Sequence, residues 1–320
     1  MSMLDSMYVN DNKIGGLIPS SIGDVKSLSE LVLTNNNLTW SIPSSLCKVT
    51  TLLELDLSMN KLTGNIPDCW DGPLERMDLS FNSLSGPIPS SIGHLFMLYS
   101  LHLNSNHLQG KLPSRLSRCD DLFYLDLGEN NLEGNISAWM DGERFPWLRT
   151  LRLRENNFHG RIGPKLCSFK LLQVLDLAGN RLEGTIPPCF GNMTGFNLNM
   201  DDANPIGSIT PPVTIAHEPA RWGHFTCWDR EHMAQVMKGR DNNYPITILS
   251  QVTNLDLSKN NLVGMIPEEL GFLFGLQGVN LSHNRLVGSI PKTIGHMNSL
   301  ESLDLSDNLL SGEIPPSILS

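Results

Sequence analysis

The sequence predicts a curved solenoid of stacked coils, each contributing one short strand to a long parallel sheet, with one non-repeating insertion. Three observations predict it. The spacing in LDLSKNNLVGMIP, Leu255 to Pro267, returns eleven times along the 320 residues. The asparagine of that unit falls at Asn12, Asn36, Asn60, Asn82, Asn106, Asn130, Asn156 and Asn180, then at Asn260, Asn284 and Asn308, in steps of 24, 24, 22, 24, 24, 26, 24, 80, 24 and 24. The step of 80 is one period plus about 56 residues that do not repeat. The expected organisation is therefore coils one to eight over 1–191, an insertion over 192–250, and coils nine to eleven over 251–320.

Each part of the unit has a physical reason. One coil cannot bury its own apolar face, so the leucines of neighbouring coils must line up into one core. In the LxL core of the strand the leucines point inward and the residue between them points outward, because side chains alternate across a strand. At about 4.8 Å per strand, eleven coils give a sheet roughly 50 Å long, its outer face open to a large partner. The asparagine falls where the chain turns away from the sheet, where its amide both donates to and accepts from backbone groups; the expected role is structural. The GxIP that follows, as at Gly64, Ile66 and Pro67, suits a second short edge strand, with Gly for the tight backbone and Pro where no donor is needed. Trp40 stands in place of Gly, and Ser137 and Gly163 stand in place of Pro.

LxxLxLxxNxL at this period is the leucine-rich-repeat signature. Composition agrees: 40% hydrophobic and 7% aromatic residues suit a leucine-packed solenoid. The net charge of −10 argues against general nucleic-acid binding. No segment has the length of an apolar signal or membrane span.

The cysteines point to an oxidising compartment. Cys47 and Cys69 are 22 residues apart, as are Cys167 and Cys189, and both pairs fall at one register of adjacent coils. Two disulfides on the convex flank are expected; the pairing of Cys119 and Cys227 is open. NxS/T sequons at Asn37, Asn135, Asn192 and Asn280 support the secretory reading, and a glycan on Asn280 would occupy the open face. Polar caps, which terminal coils of a solenoid need, are missing at both ends, so the chain is expected to be a fragment or a truncated product.

LxxLxLxxNxLxGxIP is the form of plant extracellular leucine-rich repeats. The stretches SAWMDGERFPWLRTLRLRENNFHGRIGPKLCSFKLLQVLDLAGNRLEGTIPPCFGNMTGF, VMKGRDNNYPITILSQVTNLDLSKNNLVGMIP and LESLDLSDNLLSGEIPPSI narrow the likeness. The chain resembles the C-terminal half of the ectodomain of plant receptor-like proteins, the kind that includes fungal-resistance and xylanase receptors, over nearly its whole length. The resemblance implies that the insertion is an island domain. It also implies perception of an extracellular, microbial protein or peptide elicitor, and signalling through an adaptor receptor kinase and a co-receptor kinase of the somatic-embryogenesis type, which touches the island and the last coils. It places the parent protein at the extracellular face of the plasma membrane, held there by segments that this chain lacks. No cofactor is implied.

The outward residues of the LxL strands are Tyr8, Val32, Asp56, Asp78, His102, Asp126, Arg152, Asp176, Asp256, Asn280 and Asp304. His102 and Arg152 break the aspartate pattern. With the neighbouring Tyr99, Tyr124 and Arg154 they are the candidate ligand contacts, since aromatic and Arg side chains anchor protein interfaces. The competing expectation is that Arg152 and Arg154 only pair with Asp126, Asp176 and Glu155 in a solvated charge lattice. Lys238, Arg240 and Tyr244 of the island carry the motif of the resembled family and are candidate ligand or co-receptor contacts, Tyr244 more as an anchor. Asp256, Lys259, His283 and Asp304 are candidate co-receptor contacts on the last coils. His217, His224, Cys227 and His232 are metal-ligand types, but their spacing matches no zinc site.

No nucleophile, base and orienting group converge in register, and no GxSxG, phosphate-loop or metalloprotease motif occurs, so a non-catalytic binding module is expected. The alternatives are a secreted inhibitor like the plant polygalacturonase-inhibiting proteins, which lack an island and carry cap cysteines, and a truncated soluble decoy. A developmental receptor-like protein uses the same scaffold.

Overall fold

The computed structural model describes residues 3–197, 232–237, 240–245 and 252–318. Among them, two parallel sheets of eleven strands run the length of a solenoid, each with its strands in chain order. The first sheet stacks three-residue strands such as Glu54–Asp56, Arg76–Asp78 and Ser100–His102. Their central apolar residues meet in one row, Leu31 against Leu55, Leu55 against Met77, Met77 against Leu101. These are fully buried, and the next leucine of each unit, Leu57 or Leu103, is buried beside them. The two leucines of LxL thus point inward together, as alternation requires.

The second sheet uses the residues just after the asparagine, as in Lys61–Asn65 and Asn261–Met265. The convex side is built from short 3-10 helices such as Ser44–Lys48 and Glu268–Phe272. Proline starts most of them: Pro43 and Pro267 hold φ at −70° and −68° immediately before the first turn, which is the angle the ring imposes. Where Ser137 replaces proline, a four-residue α-helix forms instead, Ile136–Trp139, with the Asn135 side chain accepting from the Ser137 N–H. At the other departure, Gly163 precedes the 3-10 helix and Pro164 begins it.

The asparagines lock coil to coil. Asn60 Oδ1 accepts from the Leu38 N–H of the previous coil at 3.0 Å, and its Nδ2 donates to Leu33 O of that coil at 3.0 Å and to Leu57 O and Ser58 O of its own. The same set recurs at Asn82, Asn106 and Asn130. The residue before each asparagine adopts a left-handed φ, from +48° at Glu155 to +64° at Gly179.

The insertion does not interrupt the stack. Leu175 is in register with Leu255, Asn260 Oδ1 accepts from the Leu182 N–H at 2.9 Å, and Asn260 Nδ2 donates to Leu177 O at 3.0 Å. Residues 192–197, placed within the insertion by the sequence, lie in convex 3-10 helices: Phe196 is buried in the core, and Asn197 Nδ2 donates to Phe272 O at 3.0 Å. Within the insertion, His232–Met237 and Arg240–Pro245 pair as an antiparallel hairpin.

Both expected disulfides are formed, Cys47 to Cys69 and Cys167 to Cys189, with Cα separations of 5.7 and 5.8 Å. Cys119 is a free, buried thiol, and burial pushes its pKa up to about 12, so it is inert. Cys227 lies outside the described residues.

Candidate functional site

The concave sheet sorts its outward side chains into columns, one residue per coil. Sequence reasoning placed Tyr99, His102, Tyr124 and Arg152 there as accessible contacts. The structure keeps them on the concave sheet but buries all four, Arg152 to 1% exposure. On strands one rung apart, a long side chain is flanked on both sides by its column neighbours, as Arg152 is by Asp126 and Asp176. His102 is held from its own strand, its Nε2 lying 2.9 Å from Ser100 Oγ two residues earlier.

Arg152 is the centre of the densest cluster. Its Nη1 donates to Asp126 Oδ2 at 2.8 Å and its Nη2 to Glu129 Oε1 at 3.2 Å, while Nε lies 3.5 Å from Asp176 Oδ2. Arg154 Nη1 lies 3.8 Å from the same Asp176 oxygen. The expected pairing with Asp126 and Asp176 is present, but the lattice is buried rather than solvated, and Glu155 pairs instead with Lys259 at 3.5 Å. Burial alone would lower the Arg152 pKa, but the adjoining Asp126 and Asp176 carboxylates raise it, so it stays charged.

A second cluster was missed by sequence reasoning. Arg76 donates through Nη1 to Glu54 Oε1 (3.3 Å) and Asp56 Oδ2 (3.0 Å), and through Nη2 to Asp78 Oδ2 (3.1 Å), all of these residues buried. The available signal was an arginine two residues before Asp78 and one rung from Glu54, visible once coils are aligned by column. Burial and the Asp78 charge raise the Asp56 pKa, with Arg76 opposing.

Asp256, expected as an accessible co-receptor contact, is buried too. It stands in register with Asp176 and accepts from Ser258 N at 2.9 Å and Asn280 Nδ2 at 3.2 Å. Burial and the Asp256 charge push the Asp176 pKa up to about 7, and burial raises that of Asp256. By contrast Lys259, His283 and Asp304 are exposed as expected; His283 Nδ1 lies 3.1 Å from Asp307 Oδ2.

Of the island candidates, Arg240 and Tyr244 fall in the hairpin opposite Met237 and Met233. Lys238 lies outside the described residues, as do His217 and His224; His232 opens the first hairpin strand. The sequon asparagines Asn37, Asn135 and Asn192 are exposed. Asn280 is half-buried, and its amide is engaged by Asp256 and Ser282, so it is no free acceptor on an open face.

Besides Tyr8 and Asp304 on the two end strands, the concave side leaves accessible its rim, the left-handed residue before each asparagine. Met59 and Phe81 are 52% and 50% exposed there, followed along the column by Ser105, Glu129, Glu155, Gly179, Lys259 and His283.

The repeat family described as leucine-rich repeat matches residues 250–310, and again 27–49, 51–72, 73–95, 97–119 and 171–193. The chain is a leucine-rich-repeat solenoid. Among solved structures the solenoid is similar to the plant peptide hormone receptor RGFR1 in complex with RGF2, at 31% identity and a TM-score of 0.76, covering 98% of this chain and 41% of that one. It is also similar to the leucine-rich-repeat ectodomain of the receptor kinase GASSHO1/SCHENGEN3 from Arabidopsis thaliana in complex with Casparian strip integrity factor 2, at 32% identity and a TM-score of 0.64, covering 99% and 37%. A third is the Arabidopsis receptor kinase HAESA in complex with the peptide hormone IDA and the co-receptor SERK1, at 25% identity and a TM-score of 0.61, covering 99% and 52%. The solenoid therefore spans about half or less of the length of these structures. None of the curated proteins compared with it matches. These neighbours are extracellular receptor ectodomains, and the two disulfides fit that setting. Among the described residues no helix is long and apolar enough to cross a membrane.

Proposed function

We infer that the chain is a ligand-recognition part of the ectodomain of a plant cell-surface receptor-like protein. It perceives an extracellular protein or peptide elicitor in defence and pairs with a co-receptor kinase ectodomain, with an adaptor receptor kinase carrying the signal. The observation that carries this reading is the concave sheet, continuous across the insertion and similar in fold to ectodomains solved with peptides and a co-receptor. Ligand engages the concave side and the part of the island, 192–250, that follows residue 197, as a separate recognition element. The exposed Lys259, His283 and Asp304 of the last coils, with Lys238 and Arg240 of the island, then face the co-receptor, so that capture depends on ligand.

The test is capture of a somatic-embryogenesis-type co-receptor ectodomain by the purified chain, with and without fractionated elicitor from fungal culture. Ligand-dependent capture that Lys259→Glu with His283→Glu abolishes is expected, those two side chains being exposed enough to reverse without unfolding the coil. Capture indifferent to elicitor, or to both substitutions, would overturn it.

A further inference from the structure

Nine of the eleven rim positions carry Asp, Asn, Ser, Glu, Gly, Lys or His; coils three and four carry Met59 and Phe81. Both side chains are about half exposed and add nothing to the core. Both sit at φ +53°, a left-handed conformation that L-residues with bulky side chains adopt at a cost. Two adjacent coils therefore show water a large apolar side chain at a backbone position that favours Asn or Gly.

The same column turns acidic within two rungs. Glu129 and Glu155 both keep 43% of their side chains exposed. Ser105 Oγ donates to Glu129 Oε2 at 2.7 Å and Arg152 takes the other oxygen. A carboxylate has about four acceptor sites, so each glutamate retains capacity for another cation. Gly179, on the next rung, contributes no side chain; a Cβ there would collide with the Glu155 carboxylate, which lies across it towards Lys259. The rim thus reads apolar, apolar, hydroxyl, acid, acid, open.

We propose that this rim is the docking track for an extended, cationic peptide segment whose apolar side chain seats on Met59 and Phe81 and whose Lys or Arg residues pair with Glu129 and Glu155. The inference rests on the reading of the chain as a recognition ectodomain and names the chemistry of its ligand. Spacing sets the sequence rule. At about 4.8 Å per rung, Glu129 and Glu155 lie roughly 10 and 14 Å along the column from Phe81. An extended peptide advances about 3.3 Å per residue, so the cations fall three and four positions from the apolar anchor; these two side chains leave opposite sides of the extended backbone, and the long flexible stems of Lys and Arg let both heads reach the rim. The chain's net charge of −10 favours such a partner at long range.

Calorimetric titration of the full chain with acetylated, amidated octapeptides tests this. One peptide carries Leu-Phe with Lys and Arg three and four positions away; a second replaces both cations by Glu, and a third replaces Leu-Phe by Ser-Ser. Met59→Asn and Phe81→Asn keep the fold, since Asn35 occupies the same column at φ +53°. Only the first peptide is expected to bind; each Asn variant should weaken it by about tenfold, the range of an interface anchor, and Glu155→Gln should reduce the dependence of binding on salt. Equal binding of the Glu or Ser-Ser peptide, an unchanged affinity in the double Asn variant, or no binding of the first peptide overturns the proposal. Elicitor-dependent co-receptor capture that persists in the double Asn variant removes the rim while leaving the receptor reading standing, and loss of capture from the unsubstituted chain does the reverse.

Discussion

Asp176 and Asp256 stand side by side on neighbouring strands, in register, although the whole insertion lies between them in the chain. Both are buried, Arg152 and Arg154 face Asp176 from the coil before, and Asn280 bonds Asp256 from the coil after. Burial, with the Asp256 charge beside it, favours the protonated form of Asp176.

This fixes the sign of a pH effect. Burial and the Asp256 charge push the folded-state pKa of Asp176 up to about 7, against 3.8 for an ordinary aspartate. Its contribution to stability is complete below the lower value and is lost as pH rises through the higher one. Melting temperature is expected to fall between pH 4 and 8, and Asp176→Asn should flatten that slope. Thermal melts of both proteins across that range measure it, and a slope unchanged by the substitution would count against the pair.

Asn260 carries the hydrogen bonds that close the seam, to Leu182 N and Leu177 O. Asn260→Ala leaves the buried Leu182 N–H without its acceptor, at a cost of about 1–3 kcal/mol, while Leu177 O keeps the bond from Asn180 Nδ2. Urea unfolding should show the loss, together with faster amide exchange at Leu182 than in the unsubstituted chain.

Trp40 occupies the left-handed position that glycine fills in the other coils, at φ +69° and 68% exposed. Relieving that conformation is worth about 1–2 kcal/mol, against roughly 0.5–1 kcal/mol for the added freedom of glycine in the unfolded chain. Trp40→Gly is therefore expected to raise the melting temperature slightly, as differential scanning calorimetry would register.

On the convex side Gly271 lies directly against the Thr293 backbone of the next coil, where a Cβ would overlap the carbonyl. Gly271→Ala should separate the two coils and destabilise by more than the ordinary ~1 kcal/mol of a point substitution. Denaturant midpoints read this directly; equal stability would show that the convex helices slide freely.

Removing the disulfides should cost less than cooperativity would suggest. Each closes a loop of 22 residues, for which the chain-entropy account gives about 3 kcal/mol. In a quasi-one-dimensional stack the effect stays near the bonded coils. Cys47→Ser with Cys69→Ser is expected to increase amide exchange in coils two to four and leave Leu255 to Leu286 unchanged.

The stack was legible in the sequence because Leu and Asn recur at positions with one physical solution each, and the cysteine pairs because both share one register. The columns were less legible. Arg152 was read as a contact from its departure from aspartate, yet what buries it is the identity of its flanking residues, Asp126 and Asp176, one rung either way. Arg76 gives no signal in the LxL column because it lies outside it, two residues before Asp78. Met59 and Phe81 fall at a variable letter of the unit, and only the backbone conformation shows that this letter faces solvent.

The left-handed residue before each asparagine keeps its φ within a narrow range whether it is Asp, Met, Phe, Glu or Lys. Geometry there is dictated by the amide bonds behind it, not by the side chain in front. The row therefore behaves as a line of type: letters are exchanged one at a time without resetting the frame, so a change of reader specificity needs single substitutions and no new architecture.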